Sequence, residues 1–261
     1  MEIVVCVKQV PDTTEIRFDS GTNTLIREGV PGIVNPFDKN AVEAALQLRE
    51  KTGGKVTVVT MGPPQAKNAL KECIAMGADE AVLVSDRALA GADALATSRA
   101  LAAAIRALER YDLIICGRQA IDGDTAQVGP GIAECLGIPQ VTCVQKIELD
   151  GTAARVERET EEGYDVVESG MPLLVTVGKG INVPRYPTVR DTMKANRKEI
   201  AVMAAAELQA CVRKPGLGGS PVRVRKISAP PPRAQGEVIQ AESAAEAVDA
   251  LLRKLSDRKV I

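Results

Sequence analysis

The most informative absence is that of histidine, which does not occur among the 261 residues. Its absence excludes Ser-His-Asp triads, histidine general bases and histidine metal ligands together. Tryptophan is also missing, and the only aromatic residues are Phe18, Phe37, Tyr111, Tyr164 and Tyr186. A nucleic-acid surface built from stacking aromatic rings is therefore not expected.

The lack of CxxC spacing and of long apolar runs excludes further classes of protein. The six cysteines show no CxxC spacing, and most lie inside apolar runs. They are expected to be buried thiols rather than disulfides, zinc ligands or iron–sulfur ligands. No apolar run reaches the ~18 residues of a membrane span. Because residues 1–6 run straight into a strand-like segment without a basic leader, we expect a cytoplasmic protein.

What is present is an aliphatic chain whose charge is unevenly placed. Apolar residues make up 45%, charged residues 26%, and the net charge is -1, so a sizeable core can be buried and a polyanion-binding role is not indicated. Residues 181–261 contain 15 Lys and Arg against 8 Asp and Glu, which is +7, and the rest of the chain carries -8. This asymmetry predicts an α/β body over 1–180 and a basic interaction arm over 181–261.

Strand and helix patterns alternate along the first two thirds of the chain. Apolar runs rich in β-branched residues predict buried strands, and alanine-rich stripes at helical spacing predict the helices between them. The predicted strands are Glu2–Val7, Lys55–Met61, Glu80–Val84 and Tyr111–Cys116. The predicted helices are Lys39–Thr52 with Asp38 as N-cap, Gln65–Met76, Asp93–Leu108, and one from about Thr125 to Leu136. This order predicts a doubly wound, mostly parallel sheet.

Two regions depart from this alternation. Three strand-like runs joined by turns predict a β-hairpin region before the core strand Leu173–Val177, and they are Val144–Leu149, Ala153–Arg158 and Val166–Ser169. An exposed hairpin is predicted at 16–26. A short basic helix at Thr192–Lys198, the Pro- and Gly-rich segment Lys214–Gly236 and the amphipathic helix Ser243–Leu255 predict an extended C-terminal arm that needs a partner surface.

The loop after the fourth predicted strand, Cys116 to Pro130, is the main candidate for a ligand site, because ligands bind beyond the carboxyl ends of parallel strands. Gly123 permits a positive φ or the close approach of a ligand. Asp124-Thr125 can start a helix whose free amides, at Ala126 to Val128, would hold a phosphate or pyrophosphate. Arg118 would add charge or stack on a ring. The alternative is a tight loop and a capped helix without a ligand.

A second candidate is Asn35-Pro36-Phe37-Asp38, where a proline-fixed turn would hold an asparagine able to read an adenine edge. The alternative is a plain helix N-terminus. Cys6 and Met61 are expected to be pocket walls or core. Neither a GxGxxG fingerprint nor a Walker A loop occurs, and no nucleophile–base pair stands out. These observations predict a nucleotide-binding module without acid–base chemistry of its own.

Five short segments are specific in their combined order and spacing, although each is weak alone. They are Val7-Lys8-Gln9-Val10-Pro11, Asn35-Pro36-Phe37, Gly117-Arg118-Gln119-Ala120-Ile121-Asp122, Pro184-Arg185-Tyr186 and Met193-Lys194-Ala195. In these segments the chain resembles the β subunit of the electron-transfer flavoproteins, over essentially its full length. The resemblance implies a body of the adenine-nucleotide α-hydrolase-like type and a C-terminal arm that wraps an α subunit.

The resemblance also implies a cofactor. In the family the α subunit holds the redox FAD, and the β-subunit site takes AMP in ordinary members or a second FAD in electron-bifurcating members. The stretch Asp122 to Pro130, the hairpin at 16–26 and the segment 27–31 resemble the bifurcating branch. That branch implies hydride transfer from NADH, with one electron passing to ferredoxin or flavodoxin. The other electron passes through the α-subunit FAD to an acyl-CoA dehydrogenase or quinone reductase.

Residue roles follow from the resemblance position by position. The residues implied to bind the cofactor are Cys6, Asn35, Pro36, Phe37, Asp38, Met61, Gly117, Arg118, Gln119, Ala120, Ile121, Asp122, Gly123, Asp124, Thr125, Ala126, Gln127 and Val128. Those implied to dock a protein partner are Arg185, Val189, Arg190 and Lys194, with Val189 as the apolar anchor. Val183 departs from the Glu of many members, which leaves the dehydrogenase partner open. Two alternatives remain: a non-bifurcating β subunit with structural AMP, and a stand-alone adenine-nucleotide-binding regulatory module.

Overall fold

The fold is seen in a computed structural model that describes residues 1–12, 18–19, 24–25, 32–208, 214–226 and 236–261. By its internal contacts the chain divides into two compact units, Met1–Arg225 and Lys226–Ile261. Residues 181–225 therefore belong to the larger unit by packing. The functional division into a body and a docking arm at residue 180 stays a prediction.

A sheet of nine strands forms the centre of the larger unit. The strands are β1 (Glu2–Cys6), β2 (Lys55–Met61), β3 (Glu80–Val84), β4 (Leu113–Gly117), β5 (Gln140–Asp150), β6 (Ala153–Glu159), β7 (Tyr164–Gly170), β8 (Leu173–Val177) and β9 (Ala201–Met203). Their order across the sheet is β7-β6-β5-β8-β4-β1-β2-β3-β9. All pairs from β5 to β9 along that order are parallel, and β6 and β7 add an antiparallel edge.

Four helices, α1 (Pro36–Thr52), α2 (Lys67–Met76), α3 (Ala94–Ala107) and α4 (Val128–Leu136), cover both faces of the sheet. α5 (Val189–Arg197) packs on α2, and α6 (Ala244–Asp257) belongs to the smaller unit. Apolar residues of α1 and α2 pack with Ile3 and Val5 on one face, and those of α3 and α4 pack with Val4 and Cys6 on the other. The alternation arises because successive side chains of β1 point to opposite faces. This arrangement confirms the doubly wound, mostly parallel α/β prediction.

The connections place a crevice between β1 and β4. From β1 the chain goes through α1 to β2 on one side, and from β3 it crosses through α3 to β4 on the other side. The strand order therefore reverses between β1 and β4, which is where open α/β sheets bind ligands. The segments that follow these two strands begin at Val7 and Arg118.

Several boundaries differ from those predicted. α1 begins at Pro36, and its N-cap is Asn35 rather than Asp38, because proline is favoured at the first helical position. α4 begins at Val128 and not near Thr125. A helix starting at Thr125 would place Pro130 beyond its first turn, where proline removes a hydrogen bond and clashes with the preceding turn. With Val128 first, Pro130 falls in the first turn and is tolerated.

Short strands lie beside the main sheet. Gln9–Pro11 pairs antiparallel with Gly32–Val34, and Phe18–Asp19 pairs antiparallel with Thr24–Leu25. The latter pair belongs to the hairpin predicted at 16–26. The rest of that hairpin, and residues 27–31, lie outside the described residues. None of the helices in the described part of the chain is both long and apolar enough to cross a bilayer.

The smaller unit contains α6, which is capped by the Ser243 hydroxyl accepting the N–H of Glu246. No residue of α6 is buried, and Val248, Leu251 and Leu252 are each about half exposed on an otherwise charged helix. The helix confirms the predicted amphipathic segment, extended by two residues to Asp257.

The end of β4 approaches the first turn of α1 very closely at Gly117. A Cβ placed on Gly117 would lie 2.1 Å from Oδ1 of Asp38 and 2.8 Å from Cβ of Phe37. Glycine is therefore required here by contact with α1, since any larger residue would push the helix away from the strand.

We expect Gly117→Ala to lower the free energy of unfolding by about 1–3 kcal/mol, the usual cost of overpacking. Gly123→Ala is the matched control, because a Cβ there meets nothing within 4 Å. The control should change the free energy of unfolding by less than about 0.5 kcal/mol. Urea denaturation of both variants measures the difference, and equal stabilities would contradict the close approach of α1 to β4.

Candidate nucleotide site at the ends of β1 and β4

The carboxyl group of Asp38 lies at the centre of the crevice. Its Oδ2 accepts the backbone N–H of Lys8 at 2.7 Å, and the carboxyl also accepts the N–H of Gly117 and a side-chain hydrogen bond from Asn35. Lys8 follows β1 and Gly117 ends β4, so one side chain joins the two strand ends. Burial raises the pKa of Asp38 to about 7, even though these hydrogen bonds favour the charged form.

Asn35 supports the loop that follows β4. Its Nδ2 donates to the carbonyl of Gln119 at 2.8 Å, and its Oδ1 accepts the N–H of Ile121 at 3.1 Å. The side chain is almost completely buried. The amide is thus directed to this loop and to Asp38, and contact of Asn35 with an adenine edge stays a prediction.

Lys8 makes a third connection, which sequence reasoning did not single out. Its Nζ lies 2.6 Å from Oδ1 of Asp122, whose side chain is only 6% exposed. Gln119 donates from Nε2 to Oδ1 of Asp124 at 2.9 Å. The acidic side chains of this loop are thus held by neighbouring donors. Lys8 was visible in the sequence as part of Val7-Lys8-Gln9, but a salt bridge across 114 residues leaves no local pattern.

The backbone from 123 to 128 forms an open turn with unused amides. Asp124 and Ala126 adopt φ of 47° and 53°, which costs an alanine roughly 1–2 kcal/mol. Gly123 is outside the left-handed region, so the predicted positive φ belongs to its neighbours. Within the described residues, the N–H groups of Thr125 to Val128 have no acceptor. A left-handed residue followed by right-handed Gln127 directs successive N–H groups into one concavity, which suits an anion.

The other predicted cofactor residues divide into walls and supports. Cys6 and Cys116 are paired across β1 and β4 and are buried. A hydrogen bond between the two thiols, together with burial, raises the pKa of Cys116 well above its usual value, so the Cys116 thiol is not set up as a nucleophile. Met61 ends β2 half-buried. Phe37 is half-buried, with the Lys179 ammonium 5.2 Å from its ring centroid.

The exposed part of the site is the loop itself. Its exposed residues are Arg118, Ile121, Gly123, Asp124, Thr125 and Gln127, whereas Ala120, Asp122, Ala126 and Val128 are half-buried. Pro36 is the first residue of α1. In the described ranges, no group of three or more Cys, Asp or Glu side chains could hold a metal ion. Among the hydrogen-bond donors that this loop leaves without an acceptor in the described residues are the backbone N–H groups of Thr125 to Val128.

The predicted docking residues lie on a different element. Val189 and Met193 of α5 are 80% and 55% exposed, and with Arg190, Lys194 and Arg197 they line one surface depression. Ala195, on the same helix, is buried where α5 packs on α2. Arg185 differs from the other three predicted docking residues, because its guanidinium is bound to Glu43 and Glu50 of α1.

Asp38 predicts a pH dependence of stability. Its pKa is about 7 in the folded state and near 3.8 when unfolded, so the folded state binds the proton more tightly. The contribution to stability is complete below the unfolded pKa and is lost as the pH rises through about 7, with a slope of up to about 1.4 kcal/mol per pH unit.

Asp38→Asn should remove this slope between about pH 5 and pH 7, although the loss of one acceptor lowers stability at every pH. Asp86→Asn is the control of opposite sign. The N–H groups of Ala88 and Ala205 lower the pKa of Asp86, so its contribution is lost as the pH falls. Denaturation curves from about pH 2 to pH 8 measure both. This range is needed because the Asp86 contribution is lost only below its unfolded pKa of 3.8, whereas the Asp38 contribution is lost between 3.8 and about 7. Parallel curves for wild type and Asp38→Asn would contradict a protonated Asp38.

The comparisons with known proteins agree with this geometry. The family model described as "Electron transfer flavoprotein domain" matches residues 22–208. The chain is 53% identical to "Electron transfer flavoprotein subunit beta" of Thermoanaerobacterium thermosaccharolyticum, with all of both chains covered. It is 47% identical to "Caffeyl-CoA reductase-Etf complex subunit CarD" of Acetobacterium woodii, again over all of both chains. "Protein FixA" of Azorhizobium caulinodans is 45% identical, with 99% of this chain and 95% of the relative covered. The chain belongs to the electron transfer flavoprotein family and matches its β subunits from end to end.

Proposed function

We propose that this chain is the β subunit of a bifurcating electron-transfer flavoprotein in the cytoplasm and that it binds FAD beyond the ends of β1 and β4. The flavin would take a hydride from NADH and release single electrons. One would pass to ferredoxin or flavodoxin, and the other to the α-subunit FAD and then to an acyl-CoA dehydrogenase or quinone reductase. The observation that carries the proposal is the concavity of free N–H groups at Thr125 to Val128, next to the unobstructed Gly123.

The residues of the site fit a dinucleotide. The free N–H groups of Thr125 to Val128 would hold the diphosphate, since backbone donors in a concavity bind anions without a conformational cost at binding. Lys8, Asn35 and Asp38 would hold the loop in this shape. Because a Cβ at Gly123 meets no protein atom within 4 Å, the loop leaves open space where a second phosphate and its continuation would pass.

The relatives favour the same class of electron transfer. CarD belongs, by its name, to a complex of caffeyl-CoA reductase with an electron transfer flavoprotein. An end-to-end match to such a subunit supports an acyl-CoA-linked acceptor for this chain. It also supports a partnership with an α subunit over the stand-alone regulatory module.

AMP is the second candidate ligand. The concavity of N–H groups would hold one phosphate as readily as two, and the strands of the crevice would flank the same adenosine. The two candidates differ in whether the ligand ends at that phosphate. The flavin and AMP content of the purified complex decides between them: two FAD per heterodimer support the proposal, and one FAD with one AMP supports the alternative.

Gly123→Glu should expel the β-bound flavin and leave the α-bound flavin, because a carboxylate would enter the space beside the diphosphate. The protein itself accepts the side chain, so the fold should be retained. Gly163→Glu is the matched control, since Gly163 also meets nothing within 4 Å. Flavin extraction and mass spectrometry of the heterodimer give the stoichiometry. Retention of two FAD in Gly123→Glu would contradict this placement of the diphosphate.

We also propose that the exposed face of α5 docks the protein acceptor, with Val189 and Met193 as apolar contacts inside a ring of cations.

Arg190→Glu/Lys194→Glu should raise the KM for an acidic acceptor about tenfold at low salt. The rise should be smaller near 0.5 M salt, where interactions between charges are screened beyond about 4–5 Å. Lys51→Glu/Arg99→Glu is the charge-matched control on other helices. A KM that does not depend on salt in wild type and variant would indicate docking through Val189 alone.

A further inference from the structure

The segment between β8 and α5 is fixed to α1 by two polar clusters. The first joins two asparagine side chains. Asn40 donates from Nδ2 to the carbonyl and to Oδ1 of Asn182, at 2.9 and 3.0 Å, and Asn182 donates from Nδ2 to the carbonyl of Asn40 at 3.0 Å. Asn40 is buried. The reciprocal bonds fix the chain at Asn182, three residues before Arg185.

The second cluster centres on Arg185. Its Nε and Nη2 donate to the two oxygens of Glu43 at 2.7 and 3.0 Å, its backbone N–H donates to Glu43 at 3.1 Å, and its Nη1 donates to Glu50 at 2.5 Å. Gln47 donates from Nε2 to Oε1 of Glu43 at 2.8 Å. This is a bidentate, charge-assisted arrangement that fixes both position and orientation.

The charge of Glu43 is sustained by this arrangement. Its side chain is only 5% exposed, and burial alone would raise its pKa. The hydrogen bonds from Arg185 and Gln47 reverse that effect and hold the pKa below its usual value. The two carboxylates in turn raise the pKa of Arg185. A buried ion pair of this kind specifies a geometry more than it adds stability.

The residues on either side of Arg185 point to what this geometry serves. Val183 is 86% exposed and Tyr186 94% exposed, so neither of these side chains anchors the segment to the body. The apolar residues beside them, Pro184 and Pro187, are half-buried. α5 begins three residues after Tyr186. Its far end is held by the buried Ala195 and by Lys71, which donates to the carbonyl of Asn196 at 3.1 Å. At the near end, the side-chain hydrogen bonds that join the segment to another element of the described structure are those of Asn182 and Arg185.

We propose that Arg185 is a positioning residue: its fork onto Glu43 and Glu50 fixes the start of α5 and so presents Val189 and its neighbours to the protein acceptor. This inference rests on the proposed docking role of α5. Arg185 thereby acts through the helix and does not contact the acceptor. Asn35 caps α1 and Asp38 lies in its first turn. The same helix therefore holds both the loop after β4 and the segment that leads to α5.

The test must avoid leaving a buried carboxylate without its partner, since that alone destabilises a protein. The main variant is therefore Glu43→Gln/Arg185→Gln, which removes both charges and keeps hydrogen-bonding groups. Arg185→Lys is the conservative variant. Lys55→Met/Glu80→Met removes an ion pair of 2.6 Å at the opposite end of β2 and β3 and serves as the control. All variants are studied as the α/β complex with its flavins.

The readout is steady-state electron transfer to a purified acyl-CoA dehydrogenase, with hydrogen exchange of residues 189–197 beside it. For Glu43→Gln/Arg185→Gln we expect KM to rise about fivefold, kcat and flavin content to change less than about twofold, and exchange in α5 to accelerate. Arg185→Lys keeps the positive charge and loses the fork, so its KM should lie between those of wild type and Glu43→Gln/Arg185→Gln. The control pair should leave KM and exchange at wild-type values.

Val189→Asp separates this inference from the docking proposal. If Val189→Asp raises KM and Glu43→Gln/Arg185→Gln does not, α5 docks but Arg185 does not position it, and the inference fails alone. If neither variant changes KM, both fail. If both raise KM and their combination raises it no further than Val189→Asp does, Arg185 acts through α5, as proposed. Additive effects would show that Arg185 contributes independently of α5 and would overturn the positioning role.

Discussion

The buried carboxyl group of Asp38 joins two strand ends that the chain order separates. β1 and β4 are neighbours in the sheet, yet the loops that follow them diverge, because the connections run to opposite faces. A crevice of this kind is a consequence of any doubly wound sheet, but its walls are loops and need support. Asp38 supplies it by accepting the N–H groups of Lys8 and Gly117. The absence of a side chain on Gly117 is what allows the carboxyl group to come so close.

The helix that carries Asp38 organises both regions to which we assign a function. Its N-cap Asn35 and its first-turn residue Asp38 hold the loop after β4, and its later residues Asn40, Glu43 and Glu50 hold the segment before α5. These contacts are polar, and all except the one at Glu50 are buried or partly buried. Each depends on a partner from a distant part of the chain. Such networks are costly when incomplete. This helix is thus constrained along most of its length by residues beyond position 115.

Much of the sheet could be predicted from the sequence, because buried parallel strands are short apolar runs. Lys55–Met61, Glu80–Val84 and Leu173–Val177 were predicted with the bounds that the structure has. The strand Ala201–Met203 was missed because three residues carry no periodicity. The left-handed Asp124 and Ala126 were also missed, since neither residue type announces that conformation. Pro130 did contain the information that places the start of α4, because proline is tolerated only in a first turn.

The candidate site shows a different limit of sequence reasoning. The pattern indicated the loop, and two residues assigned to the ligand have protein partners: Asn35 bonds to Gln119 and Ile121, and Asp122 pairs with Lys8. Their contact with a ligand stays a prediction. Motif residues at a nucleotide site are as readily supports as contacts, and one sequence does not separate the two roles. The ligand contacts that we propose are made by the main chain. Backbone donors carry no sequence identity, so the same contacts serve the proposed FAD and the alternative AMP. The choice between them then falls on the space around Gly123 and beyond it, where the α subunit would complete the site.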